Sequence, residues 1–353
     1  MRILRWLLLL LPIAILAEIY HWPPLLIFLT SALAVVPLAG YLGEATEVLA
    51  DKTGPRIGGL LNATLGNAAE LIITIIAIRA AEIELVKASI IGSVLGNLLL
   101  VLGLSVIFGG VKNGIQRFDR ASAGLDATLL ILAVIALSIP SIFNAAIEPN
   151  TLAVEELSLT TAAVMLVIYV LAIVFILRSR TPEREAGPTV QPTRHGPGWN
   201  TSLAIGVLLA SVVGIAIMSE FLVGSVEHVT ATLGLSAFFV GIIVVPIIGN
   251  VAEHLVAVQV AIKDQMDLSL NIAIGSSLQI ALFVAPILVF LSLLLGHPLT
   301  LEFNNFELIA LTAAAVIAAF ISVDGRSNWL EGAMLTAVYI ILSLAFYFLP
   351  SVR

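Results

Sequence analysis

The chain has 353 residues, of which 60% are hydrophobic and 11% charged, with a formal charge of −7 and a mean hydropathy of +1.11. Soluble domains carry about 25% charged residues, so this composition excludes a water-soluble enzyme and describes an all-α polytopic membrane protein. The lack of cysteine excludes disulfides, thiolate metal sites and cysteine catalysis, and no basic tract points to nucleic acid.

A bilayer crossing takes about 20 apolar residues. Such runs fall near 4–20, 25–43, 57–80, 87–109, 121–140 and 155–177, then near 200–222, 234–262, 268–295, 306–322 and 329–349. They predict eleven transmembrane helices; the alternating segments of about 10 residues that mark a membrane barrel are absent. The first run follows Arg2 and Arg5 as a signal peptide would, but Ile15 before Ala17 makes a poor cleavage site, so it reads as a retained span. Between the sixth and seventh runs, residues 179–199 are polar and rich in Pro and Gly, and read as a cytoplasmic linker carrying Arg180, Arg184 and Arg194. A cytoplasmic N-terminus puts all the basic residues inside except Arg79, Lys87 and Arg353, which fixes the expected orientation as N-terminus in and C-terminus out.

The two parts repeat. A shift of 183 positions lays Gly66-Asn67-Ala68-Ala69-Glu70 on Gly249-Asn250-Val251-Ala252-Glu253, Ile91-Gly92-Ser93 on Ile274-Gly275-Ser276, and Glu44 on Glu227. The expected organisation is an accessory first helix (1–22), a five-helix repeat (23–178), the linker (179–199) and a second five-helix repeat (200–353). Five is odd, so the second repeat is expected upside down relative to the first, the plan of many secondary transporters with a midplane binding site.

Glu70 and Glu253 fall inside their apolar runs, where an ionisable residue costs about 2.5–3.5 kcal/mol to insert. Two such costs at equivalent positions point to function. Asn67 and Asn250 each sit three residues before the acid and share its helix face. Gly66, Gly249 and Pro246 are expected to loosen the helices and free backbone carbonyls. On the following runs Ser93 with Asn97, and Ser276 with Gln279, offer further oxygens; helix packing is their alternative role. Two carboxylates among amide, hydroxyl and carbonyl oxygens suit Ca²⁺ better than Mg²⁺, which sheds water reluctantly, and better than soft metals. Without a cation the two acids repel, so protons compete with the metal for the same oxygens. Exchange of a divalent cation for protons is the expected activity, with no organic cofactor.

These motifs, together with Ile91-Gly-Ser-Val-Leu-Gly-Asn97, Ile274-Gly-Ser-Ser-Leu-Gln279 and the Glu253-His254 ending, closely resemble the paired repeats of the Ca²⁺/H⁺ antiporters, the cation/proton exchanger branch of the Ca²⁺/cation antiporter superfamily. The resemblance covers essentially the whole chain. It implies that Glu70 and Glu253 are the central metal and proton sites, that the flanking Asn, Ser and Gln residues line the pathway, and that the Glu-bearing helices slide or tilt. It also implies a prokaryotic plasma-membrane protein. The sister sodium/calcium exchangers carry Thr-Ser and Pro-Glu around their acids, which Asn67-Ala-Ala-Glu70 lacks, so sodium coupling is the second reading.

Of the remaining residues, His254 is expected either to relay protons or to make a packing hydrogen bond. Glu44 and Glu227 are candidate cation-recruiting mouths or solvated helix ends, as is Glu220. Glu148, Glu155, Glu156, Glu302 and Glu307 are expected to be solvated outer-loop acids. A channel would usually gather its filter from several subunits, and no hydrolase motif is present.

Overall fold

A computed structural model describes residues 4–146, 151–178 and 198–349. Residues 179–197 of the expected linker, with its three arginines, lie outside the described residues, as do Arg2, Glu148 and Arg353. Apart from one two-stranded ribbon, the described elements are helices. A 3₁₀ turn, Leu4–Leu9, leads into α1 (Leu10–Ile19), followed by α2 (Pro24–Leu65), α3 (Ala68–Arg79), α4 (Ile83–Leu95) and α5 (Leu102–Asn113). Strand β1 (Gln116–Arg117), α6 (Arg120–Ala146) and α7 (Thr151–Arg178) complete the first half. The second half runs α8 (Thr201–Leu233), α9 (Ala237–Phe239), α10 (Val245–Ile262), α11 (Met266–Gln279), α12 (Ala285–Leu294), α13 (Asn305–Val323), β2 (Arg326–Ser327) and α14 (Trp329–Phe348).

Among the described residues, nine helical stretches are long and apolar enough to cross a membrane. The two other expected runs differ from the sequence reading. The first is a shorter apolar helix, Trp6–Ile19. The run near 57–80 is not one helix: α2 kinks at Gly54, where φ is +83°, and the chain breaks again at Asn67 (φ −101°, ψ 26°) before α3 begins. Asn67 stands at the N-cap position of α3 but makes no capping bond, because its side chain is held by the other half of the chain.

Three π-helical turns interrupt the remaining core helices. Gly96–Val101 joins α4 to α5 and Ile280–Val284 joins α11 to α12, so the two fall at matching places in the 183-residue repeat. The third, Val240–Val244, joins α9 to α10 and sits just before Pro246. Proline cannot donate to the carbonyl of Ile242 four residues earlier, and its ring would clash there; the wider turn absorbs both defects.

Helix α2 packs along α8, α5 against α14 and α10, and α6 against α13, around a core of buried Leu, Ile, Val and Ala. Outer helices turn residues such as Val167, Phe175, Leu209 and Phe348 outward, as lipid-facing helices do. At one end of the bundle β1 and β2 pair antiparallel, Gln116 opposite Ser327, and the Asn113 and Gln116 amides donate to Ala261 O. At the other end of α4 and α5, Lys87 Nζ donates to Thr300 Oγ1 (3.0 Å), and the backbone N–H groups of Leu301 and Phe303 donate to Ser158 and Ser141.

Candidate cation site

The break at Asn67 puts Glu70 in the first turn of α3, where the free N–H groups and helix dipole favour a negative charge. Glu253 has a different setting, in the interior of the continuous helix α10. Gly249 stays helical there, and the loosening of the second half lies earlier, in the π-helical turn before Pro246.

Each acid lies against the glycine of the opposite motif. The Glu70 Cγ, Cδ and Oε1 atoms are 3.4, 3.5 and 3.6 Å from where a β-carbon on Gly249 would stand; Glu253 Oε1 is 3.8 Å from the same point on Gly66. A β-carbon at either glycine would stand in van der Waals contact with the facing carboxylate, so each acid reaches close to the backbone of the opposite motif. The two negative charges are close enough to repel. Glu70 is 4% exposed and Glu253 half-buried.

The amide and hydroxyl groups also pair across the halves. Ser276 Oγ donates to Asn67 Oδ1 (2.9 Å), and at the equivalent place Asn250 Nδ2 reaches Ser93 Oγ at 3.5 Å. Two further bonds have no counterpart. Asn67 Nδ2 donates to Gln279 Oε1 (2.6 Å), whereas position 96, equivalent to 279, is Gly. His254 Nε2 and Asn97 Oδ1 share a hydrogen bond of 3.2 Å, whereas their equivalents are Leu71 and Ile280. His254 thus faces the same polar seam as the acids, although it adjoins Glu253 in the chain.

Buried polar atoms nearly always have partners. Here Glu70 Oε1 and Glu253 Oε2 are buried with no hydrogen-bond donor among the described residues. Lone carboxylate oxygens amid amide and hydroxyl groups form a hard, oxygen-rich environment that a Ca²⁺ ion or protons would complete. Among the described residues no group of three or more His, Cys, Asp or Glu gathers; the acids brought to this seam are Glu70 and Glu253.

The proposed mouth residues are placed differently from one another. Helix α2 runs on well past Glu44, which is half-buried and interior rather than at a helix end. Glu227 and Glu220 are exposed on α8. Sequence reasoning missed Glu82, which lies at the start of α4 near Glu227. Its partial burial, then the charges of Glu227 and Glu84, push its carboxyl above its ordinary 4.5. The expectation that Glu302 and Glu307 are merely solvated fails. Glu307 is 3% exposed and closes a capping box with Asn304 at the start of α13, while Glu302 accepts the Asn144 amide. The Asn304-Asn305-Phe306-Glu307 spacing carried that signal.

A profile of the sodium/calcium exchanger protein family matches residues 23–178 and 203–348. A Ca²⁺/H⁺ antiporter of Aphanothece halophytica is 44% identical over 98% of this chain and 96% of its own. The Ca²⁺/H⁺ antiporter ChaA of Bacillus subtilis (strain 168) is 41% identical over 96% of each chain. The solved structure of native YfkE superposes with a TM-score of 0.84 at 39% identity, covering 96% of this chain and 97% of that one. A structure of the sodium-calcium exchanger NCX_Mj shares the fold, with a TM-score of 0.55 at 15% identity over 90% of this chain and 96% of that one.

Proposed function

Because the chain belongs to the sodium/calcium exchanger protein family, we propose that it is an integral membrane antiporter that exchanges Ca²⁺ for H⁺, with Glu70 and Glu253 as shared metal and proton sites. The naming of its relatives as Ca²⁺/H⁺ antiporters supports the choice of ions. The observation that carries the reading for this chain is the reciprocal seating of Glu70 on Gly249 and Glu253 on Gly66, one acid from each half meeting in the interior.

The chemistry follows from charge. A pair of bare carboxylates in a low-dielectric interior is costly. Ca²⁺ neutralises it, and so do protons, but both cannot occupy the same oxygens at once. The pair is therefore neutral when it carries one cargo or the other, and only a neutral pair crosses between the two sides at low cost. Asn67, Asn250, Ser93, Ser276 and Gln279 supply neutral oxygens along the pathway, and Asn97 with His254 closes its second wall. The two halves are inverted five-helix repeats behind an accessory helix, joined by the linker. Lys52, Lys112, Arg117, Arg120, Lys263 and Arg326 face the cytoplasm of a prokaryotic plasma membrane, the N-terminus is inside and the C-terminus outside.

Purified protein reconstituted into vesicles tests this. An imposed pH gradient drives Ca²⁺ accumulation, and Glu70→Gln or Glu253→Gln abolishes it. Uptake that follows a Na⁺ gradient and ignores the pH gradient would replace this reading with sodium coupling; uptake needing neither gradient would indicate a channel.

A further inference from the structure

Apart from the cation site, the two halves also meet at the turns between α5 and α6 and between α13 and α14. There β1 and β2 pair antiparallel, with Gln116 opposite Ser327 and Arg117 opposite Arg326. Gln116 and Ser327 are buried, so the two arginines share the other face of the ribbon, where both are exposed. Directly opposite residues of such a pair have β-carbons about 4.5–5.5 Å apart, and like charges at that spacing destabilise it. Arg120 adds a third positive charge, its β-carbon 3.3 Å from the point where one on Gly325 would stand.

The aspartates around the ribbon accept hydrogen bonds from other groups. Asp119 takes the Ala121 and Ser122 N–H groups at the start of α6, Asp324 the backbone N–H of Arg326, Asp264 the Gln116 amide and Asp267 the Asp119 N–H. The residues flanking the ribbon are apolar and exposed: Ile115 before β1, and Trp329 just after β2, its backbone packed on Gly110 of α5. Tryptophan is enriched at the boundary between membrane and water, and arginines beside it extend their charged heads to the level of the lipid headgroups. The 183-residue shift lays Arg117 on Thr300 and Arg326 on Phe143, so the matching positions at the other end of the bundle carry no charge.

We propose that the exposed face of this ribbon binds the headgroup of an anionic phospholipid, with the facing Arg117 and Arg326 sharing its phosphate and Arg120 beside them. A guanidinium presents a planar fork of N–H donors that takes phosphate oxygens two at a time, and two forks on one strand pair converge on a single phosphodiester. The anion turns the repulsion between the two charges into attraction to a common partner, while Ile115 and Trp329 lie against the acyl-chain boundary. Phosphatidylcholine offers the same phosphate with a quaternary ammonium attached, which these cations repel; phosphatidylglycerol carries no such group. In the orientation proposed above the leaflet is the cytoplasmic one, but the site itself does not depend on ion exchange.

The test uses the full chain with Trp6→Phe, Trp22→Phe and Trp199→Phe, which leaves Trp329 as the sole tryptophan, reconstituted in phosphatidylcholine vesicles. Brominated phosphatidylglycerol at low mole fraction quenches Trp329 more strongly than brominated phosphatidylcholine at the same fraction. Arg117→Gln and Arg326→Gln each lower the relative affinity for phosphatidylglycerol about fivefold, both together remove the preference, and Arg117→Lys with Arg326→Lys retains part of it. Inorganic phosphate at millimolar concentration leaves the preference in place. Should the single-tryptophan chain not fold, native mass spectrometry of the unaltered chain and its Gln variants counts the retained phosphatidylglycerol instead. Equal quenching by the two lipids, or a preference that survives the double Gln change, overturns the proposal. So does a preference that inorganic phosphate abolishes, because the ribbon would then hold a free anion. Failure of the unaltered chain to exchange ions would refute the antiport reading and leave this binding result standing.

Discussion

Glu70 lies against Gly249, its carboxyl carbon 3.5 Å from the point where a β-carbon on that glycine would stand. That distance is ordinary van der Waals contact, so Gly249→Ala folds and transports. Gly249→Val places branched methyls where the carboxylate rests, and the KM for Ca²⁺ rises while the thermal midpoint changes little. At Gly66 the same β-carbon meets Asn62 O at 2.8 Å and Gln279 Oε1 at 3.2 Å, so Gly66→Ala already distorts the break before α3. Initial rates of Ca²⁺ uptake check the order: Gly66→Ala falls further than Gly249→Ala.

Two glycines of the repeated motif differ in what surrounds them. A β-carbon on Gly92 would stand 2.0 Å from Ile242 O, whereas at Gly275 nothing lies within 4 Å. Gly92 is where α4 crosses the turn before Pro246, backbone against backbone. Overpacking costs about 1–3 kcal/mol and more against rigid backbone, so Gly92→Ala lowers the melting temperature clearly. Gly275→Ala stays within about 0.5 kcal/mol of the parent. Thermal unfolding in detergent distinguishes them, and equal losses would refute the asymmetry.

The hydrogen bond between His254 and Asn97 has no equivalent in the other half. His254→Leu and Asn97→Ile install the residues found at the matching positions, Leu71 and Ile280. A double-mutant cycle on stability returns a coupling of about 0.5–1.5 kcal/mol. Additive effects would mean that the two side chains do not interact.

Gln279→Ala leaves the Asn67 Nδ2 group, on a residue only 3% exposed, without the acceptor it has now. An unsatisfied buried donor costs about 1–3 kcal/mol. The melting temperature falls, and the KM for Ca²⁺ rises because Asn67 no longer holds its place beside the acids. A variant with unchanged stability and KM would show that this bond is incidental.

Glu82 gives a pH dependence with a definite sign. Burial, Glu227 and Glu84 raise its carboxyl above the ordinary 4.5, so the folded protein prefers the protonated form. That contribution to stability is full below pH 4.5 and is lost as the pH rises through the raised value. Glu82→Gln removes the loss: its melting temperature matches that of the parent in acid and exceeds it increasingly toward neutrality. Glu227→Gln gives part of the same gain.

The acids and their amide and hydroxyl neighbours were legible because ionisable and polar residues in apolar runs are expensive, and because the 183-residue shift aligned them. What escaped depends on partners far away in the chain. The 57–80 run reads as one apolar span loosened at Gly66, and the full break at Asn67 goes with its bonds to Gln279 and Ser276, more than 200 residues away. The π-helical turns leave no signature in hydropathy, although Pro246 and Pro286 each follow one. Glu302 and Glu307 looked like loop charges because their burial comes from helices brought together by folding. Glu82 was overlooked because its neighbour Glu227 is remote in sequence. Repeat symmetry does not extend to exposure: Glu44 and Glu227 occupy matching positions, yet one is half-buried and the other exposed.

The claim that metal and protons share one pair of acids is tested most directly by adding Ca²⁺ to the protein in weakly buffered detergent solution and measuring the protons released. Release should accompany Ca²⁺ binding in the unaltered chain, diminish in Glu70→Gln and in Glu253→Gln, and vanish when both are changed. Ca²⁺ binding without proton release, or release undiminished in the doubly altered protein, would contradict it.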